Sequence, residues 1–247
     1  MFTWKFLGIR FAPKPERFGY ATLYEGTGAT STIKFGNDCI QAPGGGNEDC
    51  LFLNVWTPYL PAKKVPKKKL KAVMVWIFGG GFTAGSPNVE ANDGGNLAAR
   101  GDVVVVALNY RLSTLGFLAL NDGKTNGNYW LSDLEVGLEW IQKNIEAFGG
   151  EPTRVTIFGE SAGASAVRAL MTSPKADGKY SAAIMESSPA GLGPFNFYAK
   201  YFTVAESAAL FGDAILNQTG CANSTDQLAC LKAYDPVKLV SLPVAAS

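Results

Sequence analysis

Residues 155 to 171, VTIFGESAGASAVRALM, constrain the fold more than any other stretch. Val155, Thr156, Ile157 and Phe158 are β-branched or aromatic and read as a strand. Gly159-Glu160-Ser161-Ala162-Gly163 reads as a sharp turn, and the small, helix-favouring residues up to Met171, short of Pro174, read as a helix. A serine at the apex of strand, turn and helix is the setting of the Gly-x-Ser-x-Gly nucleophile elbow. The glycines follow from sterics. Such a turn brings the residues two before and two after the serine together, where a Cβ would clash. The Ser161 hydroxyl is then expected beyond the carboxyl end of a sheet, with a helix N-terminus aimed at whatever binds there. The pentapeptide alone is a weak pattern that also fits a βα loop carrying an idle serine, so the rest of the chain has to decide.

Around it the pattern alternates. Leu51 to Thr57, Val73 to Phe78 and Val103 to Leu108 are apolar runs; the last two, and Val155 to Phe158 as a third, read as strands buried on both faces. Leu134, Leu138, Ile141 and Ile145 recur at helical spacing, with Ser132 and Glu135 as a capping box and Gly149-Gly150 as the stop. Ala182 to Met185 reads as one more strand. Strands alternating with helices predict an α/β fold with a mainly parallel sheet and right-handed crossovers. Residues 1 to 50 read as irregular, with turns at Pro13, Pro15, Pro43 and Gly44-Gly45-Gly46. From about residue 190 the chain reads as helical and polar. Lys63 to Lys71 holds six lysines in nine positions and reads as a solvated loop between strands.

The length of 247 residues suits one large α/β domain or two small ones, and neither an internal repeat nor a domain linker is evident. A net charge of +1 argues against a nucleic-acid or membrane partner, and no apolar run reaches the length of a membrane span. The opening MFTWKFLGIRF lacks the apolar core and cleavage site of a signal peptide, so any secretion signal is expected upstream or not at all. Four cysteines allow three connectivities, of which the local one closes the smallest loops. Neither cysteine spacing is C-x-x-C and the chain contains no histidine, so no metal is expected. Asn217-Gln218-Thr219 and Asn223-Ser224-Thr225 are glycosylation sequons beside Cys221 and Cys230, which together favour a secreted or secretory-pathway protein.

The chemistry centres on two glycine-rich turns. Acyl transfer to a serine develops negative charge on the substrate carbonyl oxygen, which preorganised N–H donors must meet. Gly79-Gly80-Gly81 follows a strand where α/β-hydrolases keep such donors, and the N–H of Ala162, next to the nucleophile, supplies another. Ser161, Ala162 and the run Gly79-Gly80-Gly81 are therefore the candidate site. Ester cleavage by serine, base and oxyanion hole implies no cofactor.

Five stretches carry a resemblance. They are Phe6-Leu7-Gly8-Ile9 with Phe11-Ala12-Pro13; Glu48-Asp49-Cys50-Leu51-Phe52-Leu53-Asn54-Val55; Trp76-Ile77-Phe78-Gly79-Gly80-Gly81-Phe82; Asn109-Tyr110-Arg111 with Leu115-Gly116-Phe117; and Phe148-Gly149-Gly150 before the elbow. In this order they resemble the type-B carboxylesterases, the α/β-hydrolase family that includes cholinesterases, neuroligins and secreted fungal lipases. The resemblance implies an incomplete α/β-hydrolase fold, with residues 1–247 as the N-terminal part of one domain. It implies a carboxylic ester hydrolase of small-molecule esters, with Ser161 as nucleophile and Gly80, Gly81 and Ala162 lining the oxyanion hole. It also implies disulfides Cys39–Cys50 and Cys221–Cys230, and structural ion pairs Arg17–Glu48 and Arg111–Asp133. Glu160 is implied to tune the site's electrostatics rather than to serve as the triad acid.

The chain departs from the family in three places. The loop at 40 to 49 is short and has no aromatic residue, whereas cholinesterases carry a choline-stacking tryptophan there and fungal lipases a long lid. Glu186-Ser187-Ser188-Pro189 reads as one residue shorter than the family's Ser-Gly-x-Pro stretch. The family is about twice as long, with acid and histidine following the serine. A catalytically silent, neuroligin-like binding module and an inactive truncated product are the alternative expectations.

Overall fold

The computed structural model describes residues 2–26, 32–43, 45–61, 66–189 and 201–243. Six strands form one sheet: β1 (Trp4–Arg10), β2 (Phe52–Thr57), β3 (Lys71–Ile77), β4 (Val104–Leu108), β5 (Gly150–Glu160) and β6 (Ala182–Glu186), in the spatial order β1-β2-β4-β3-β5-β6. β4, β3, β5 and β6 run parallel, and β1 and β2 are antiparallel additions at one side. The mainly parallel sheet with flanking helices is what the alternation of apolar runs predicts, and it is consistent with the α/β-hydrolase fold that the resemblance implies.

β1 lies in a region expected to be irregular. Its period of two is broken at Gly8, which sits at φ 69°, and the register shifts between Phe6 and Ile9. A Cβ on Gly8 would come within 2.5 Å of Lys34 O, so glycine is what lets the strand pass there. The strands expected to be buried on both faces divide. β4 is buried throughout, whereas β3 and β5 alternate: Val73, Val75, Ile77, Val155 and Ile157 are buried, while Met74, Trp76, Thr156 and Phe158 keep some exposure.

Helix α1 (Gly95–Gly101) packs on the Trp56 side of the sheet, and α2 (Ser113–Phe117) follows β4. Helices α3 (Tyr129–Asn144) and α4 (Ala162–Thr172) cover the other face and complete the main core. Leu134, Leu138, Ile141 and Ile145 are all fully buried, as their spacing predicts. The capping box is not there. α3 begins three residues before Ser132, behind Asn128 in the left-handed region with no side-chain cap. The Ser132 hydroxyl instead accepts the Ala21 N–H at 3.1 Å, and the buried Glu135 carboxylate accepts the Ser173 hydroxyl. Each fully buried leucine or isoleucine contributes about 1.5–3 kcal/mol, against about 1 kcal/mol for a cap, so packing sets the start of this helix. A 3-10 turn, Ile145–Phe148, follows α3, and Gly149 at φ 82° ends it; Gly150 already belongs to β5.

Beyond residue 200 the described chain is helical, as expected, with Val204–Ser207, a π-helical turn Ala208–Gly212, Asp213–Thr219, Gln227–Ala233 and Pro236–Val240. It is less polar than its sequence suggests. Ile215, Leu216, Leu231, Leu239 and Val240 build a second core with Phe18, Ile40, Leu115 and Tyr129. Cys39–Cys50 and Cys221–Cys230 are both disulfides. Residues 63–65 of the lysine run and Gly44 lie outside the described residues; Lys67–Lys69 form a 3-10 turn before β3. Lys68, Lys69 and Lys71, with Arg154 and Asp102, line an open groove at the starting end of β3, away from Ser161. No described helix is long and apolar enough to cross a membrane.

Candidate active site

β5 delivers Ser161 to the carboxyl end of the sheet. Its backbone has φ 56° and ψ −119°, a conformation that L residues rarely adopt, and α4 starts at the next residue. The Ser161 N–H donates to Glu186 O at the end of β6, 2.9 Å away, which fixes the turn to the neighbouring strand. The two elbow glycines are sterically required. A Cβ on Gly159 would lie 2.6 Å from the Gly163 carbonyl, and one on Gly163 would lie 2.1 Å from Ile77 O. The elbow thus packs directly on the last residue of β3.

β3 in turn ends in the triple glycine. A Cβ on Gly79 would sit 3.2 Å from the Ser161 Cβ and 2.6 Å from Glu160 O, so this loop passes alongside the serine. Gly80 (φ 109°), Gly81 (φ 62°) and Phe82 (φ 61°) then turn through three left-handed residues. Gly80 O accepts the N–H groups of Thr83 and Ala84, each at 3.1 Å, while no described residue accepts from the N–H of Gly80 or Gly81. The Ala162 N–H opens α4 and belongs to the first-turn amides that lack an intrahelical acceptor. Backbone donors without a described acceptor thus occur in two segments that adjoin Ser161, the glycine loop that passes it at Gly79 and the start of α4; an oxyanion would need such donors.

Aromatic packing supports the loop from below. Phe78 stacks on Tyr110 at 4.4 Å, and the Tyr110 hydroxyl donates to Phe78 O at 2.7 Å. Burial pushes the Tyr110 phenol far up, so it stays a neutral donor. Phe82 meets Trp130 at 5.0 Å and Phe117 at 5.1 Å, and Phe82 O accepts the Ser113 N–H at 2.8 Å. Sequence reasoning passed over Trp130 in this role because it sits in the first turn of a helix whose periodic leucines come later.

The charged pairs hold the surrounding frame. Arg111 donates to Asp133 from Nε at 2.8 Å and from Nη2 at 2.7 Å, and both residues are buried. Arg17 makes two bonds of 2.8 Å to Glu48 and donates to Tyr234 O at 2.6 Å, joining the first segment to the second core. The hydrogen bond from Arg17 holds the Glu48 carboxyl below its ordinary range, against the opposing effect of burial. A third pair, Arg10 with Asp49, was not foreseen. There the Arg10 hydrogen bond likewise lowers the Asp49 carboxyl.

Glu160 is exposed, and its Oε2 would lie 2.9 Å from a Cβ on Gly79. After β6 the chain leaves through Ser187 at φ 49°. Asn217, on the helix Asp213–Thr219, and Asn223, in the turn after Cys221, both have exposed side chains. Among the described residues no group of three His, Cys, Asp or Glu side chains is placed to hold a metal ion.

The model of the carboxylesterase family matches residues 3–244 of this chain. The chain belongs to the carboxylesterase family. Bovine (Bos taurus) bile salt-activated lipase is 38% identical over 247 aligned residues, covering 93% of this chain and 40% of that protein. Acetylcholinesterase of Electrophorus electricus is 42% identical over 197 residues, 78% of this chain and 29% of that protein. Fumonisin B1 esterase of Sphingopyxis macrogoltabida is 45% identical over 186 residues, 73% of this chain and 30% of that protein. This carboxylesterase-family chain thus spans well under half the length of these relatives.

Proposed function

We propose that residues 1–247 are the N-terminal part of a single carboxylesterase domain that hydrolyses small-molecule carboxylic esters through an acyl-serine on Ser161. One observation carries the reading: a serine in a left-handed elbow, with a triple-glycine loop passing so close that a Gly79 Cβ would lie 3.2 Å from its own. The Ser161 hydroxyl oxygen attacks the ester carbonyl carbon. The carbonyl oxygen, becoming an oxyanion, accepts from the N–H groups of Gly80, Gly81 and Ala162. Collapse expels the alcohol, and water then releases the acid by the same route. A base must take the serine proton and return it to the leaving alcohol. None of the 247 residues is histidine, so the proposal places that base, and the acid that orients it, outside them. No metal or organic cofactor enters this chemistry. Two disulfides and two exposed sequon asparagines support a secreted or secretory-pathway glycoprotein.

A fluorophosphonate probe tests the assignment in the full-length protein. The peptide carrying Gly159 to Gly163 is expected to be labelled at Ser161, and Ser161→Ala to remove all labelling. Labelling that survives the substitution places the nucleophile elsewhere. No labelling at all in the parent protein favours the catalytically silent module.

A further inference from the structure

The glycine loop rests on a support that lies outside both motifs. After Gly81 the chain doubles back, and Gly85, at φ 124°, comes to lie under Gly79: a Gly85 Cβ would be 2.6 Å from Gly79 O and 2.5 Å from the Phe78 ring. Both backbone polar groups of Gly85 are taken by one side chain. The Gly85 N–H donates to Gln41 Oε1 at 2.8 Å, and Gln41 Nε2 donates to Gly85 O at 3.0 Å. This is the two-point pairing a neighbouring strand would give, supplied by a primary amide.

The amide is itself preset. Gln41 Nε2 also reaches Cys39 O at 3.2 Å, and the Gln41 backbone exchanges hydrogen bonds with Gly45 at 3.1 and 3.3 Å, inside the loop closed by Cys39–Cys50. The next turn is held the same way, since Asp38 accepts from the Ser86 hydroxyl and from Asn88 Nδ2 at 2.6 Å. Among the described residues no backbone–backbone hydrogen bond joins 38–50 to 79–88, so side chains make the connection.

The geometry points to Gln41 as a positioning residue that sets the height of the Gly79–Gly81 loop against Ser161, making the Cys39–Cys50 loop part of the oxyanion scaffold. This deepens the acyl-serine reading and rests on it. An oxyanion donor works only if it is in place before charge develops, and a misplacement of about 1 Å costs on the order of a hundredfold in rate. Gln41→Met keeps the side chain's length and bulk while removing both hydrogen bonds. Gln41→Glu keeps the acceptor for the Gly85 N–H and loses the donor.

Two measurements on disulfide-intact protein test the role. In amide hydrogen exchange, the segment from Gly79 to Ser86 is expected to exchange at least tenfold faster in Gln41→Met, and by less in Gln41→Glu, with β3 and β5 unchanged. In fluorophosphonate inactivation of the full-length protein, the maximal rate at Ser161 is expected to fall about a hundredfold in Gln41→Met, with probe affinity within about twofold, and to recover in part in Gln41→Glu. Unchanged exchange at 79–86 overturns the clamp. Faster exchange with an unchanged inactivation rate overturns the positioning role. A parent protein that shows the exchange response yet never labels at Ser161 removes the acyl-serine reading, and the role with it, while the clamp stands.

Discussion

Ser161 occupies a backbone conformation that costs an L residue about 1–3 kcal/mol. Its φ of 56° is imposed from both sides, by the bond to Glu186 O and by the close approach of Gly159 to Gly163. A strained serine is held with its hydroxyl in one place, and that strain can be measured. Ser161→Gly relieves it but loosens the unfolded chain, which returns roughly 0.5–1 kcal/mol. A net gain of about 1 kcal/mol over Ser161→Ala is therefore expected in urea unfolding; a Ser161→Gly variant less stable than Ser161→Ala by roughly 0.5–1 kcal/mol would show that the turn stores no strain. Gly163→Ala has the opposite sign. Its Cβ would stand 2.1 Å from Ile77 O, a backbone atom on a central strand, and a loss of about 3 kcal/mol or outright failure to fold is expected. The need for both glycines was legible because the turn's crowding is local. That Ile77 O is what blocks Gly163 was not, since only the parallel pairing of β3 with β5 brings it there.

At the level of elements, carboxylates bind the N-terminal segment to the rest. Arg17 holds Glu48 and Arg10 holds Asp49, and each arginine lowers its partner's pKa. A depressed folded pKa contributes stability that is fully present above the unfolded values, near 4, and is lost as pH falls through the folded ones. The thermal midpoint is thus expected to stay level from about pH 7 to 5 and to drop below about pH 4. Glu48→Gln should lower it at pH 7 and make the acid drop shallower. An undiminished acid slope in that variant would assign the loss to other groups. The two pairs expected from resemblance had recognisable sequence neighbours. Arg10 and Asp49 lie beside or within such stretches too, yet their pairing was not legible, because it depends on β1, and β1 was hidden by the Gly8 irregularity that breaks its alternation. The misread capping box has the same origin: Ser132 and Glu135 fit a local signature, yet both spend their side chains on other segments. The Gln41 clamp had no local signature at all, since a glutamine beside a cysteine says nothing about a glycine beyond the next two strands.

For the molecule as a whole, the two faces of the sheet are unequal. α3 and α4 cover one face, while on the other Trp76 and Phe158 meet at 4.9 Å with Ile184 of β6 beside them, 43% exposed. β6 pairs with β5 alone among the described strands, and no described strand covers its outer edge. An apolar strip next to an open edge invites association. Catalysis is limited by something different. Without a neighbouring base a serine hydroxyl is a weak nucleophile, and removing the histidine from a serine-hydrolase triad lowers turnover by on the order of a millionfold. Residues 1–247 contain the elbow and the glycine loop but no imidazole. Expressed alone, they are expected to self-associate in light scattering. They are also expected to cleave a nitrophenyl ester within about tenfold of the Ser161→Ala rate, because oxyanion stabilisation without a base leaves both forms slow. A wild-type rate many orders above the mutant would mean that another group in these residues takes the Ser161 proton, and Glu160, beside the serine and next to Gly79, would be the first side chain to replace.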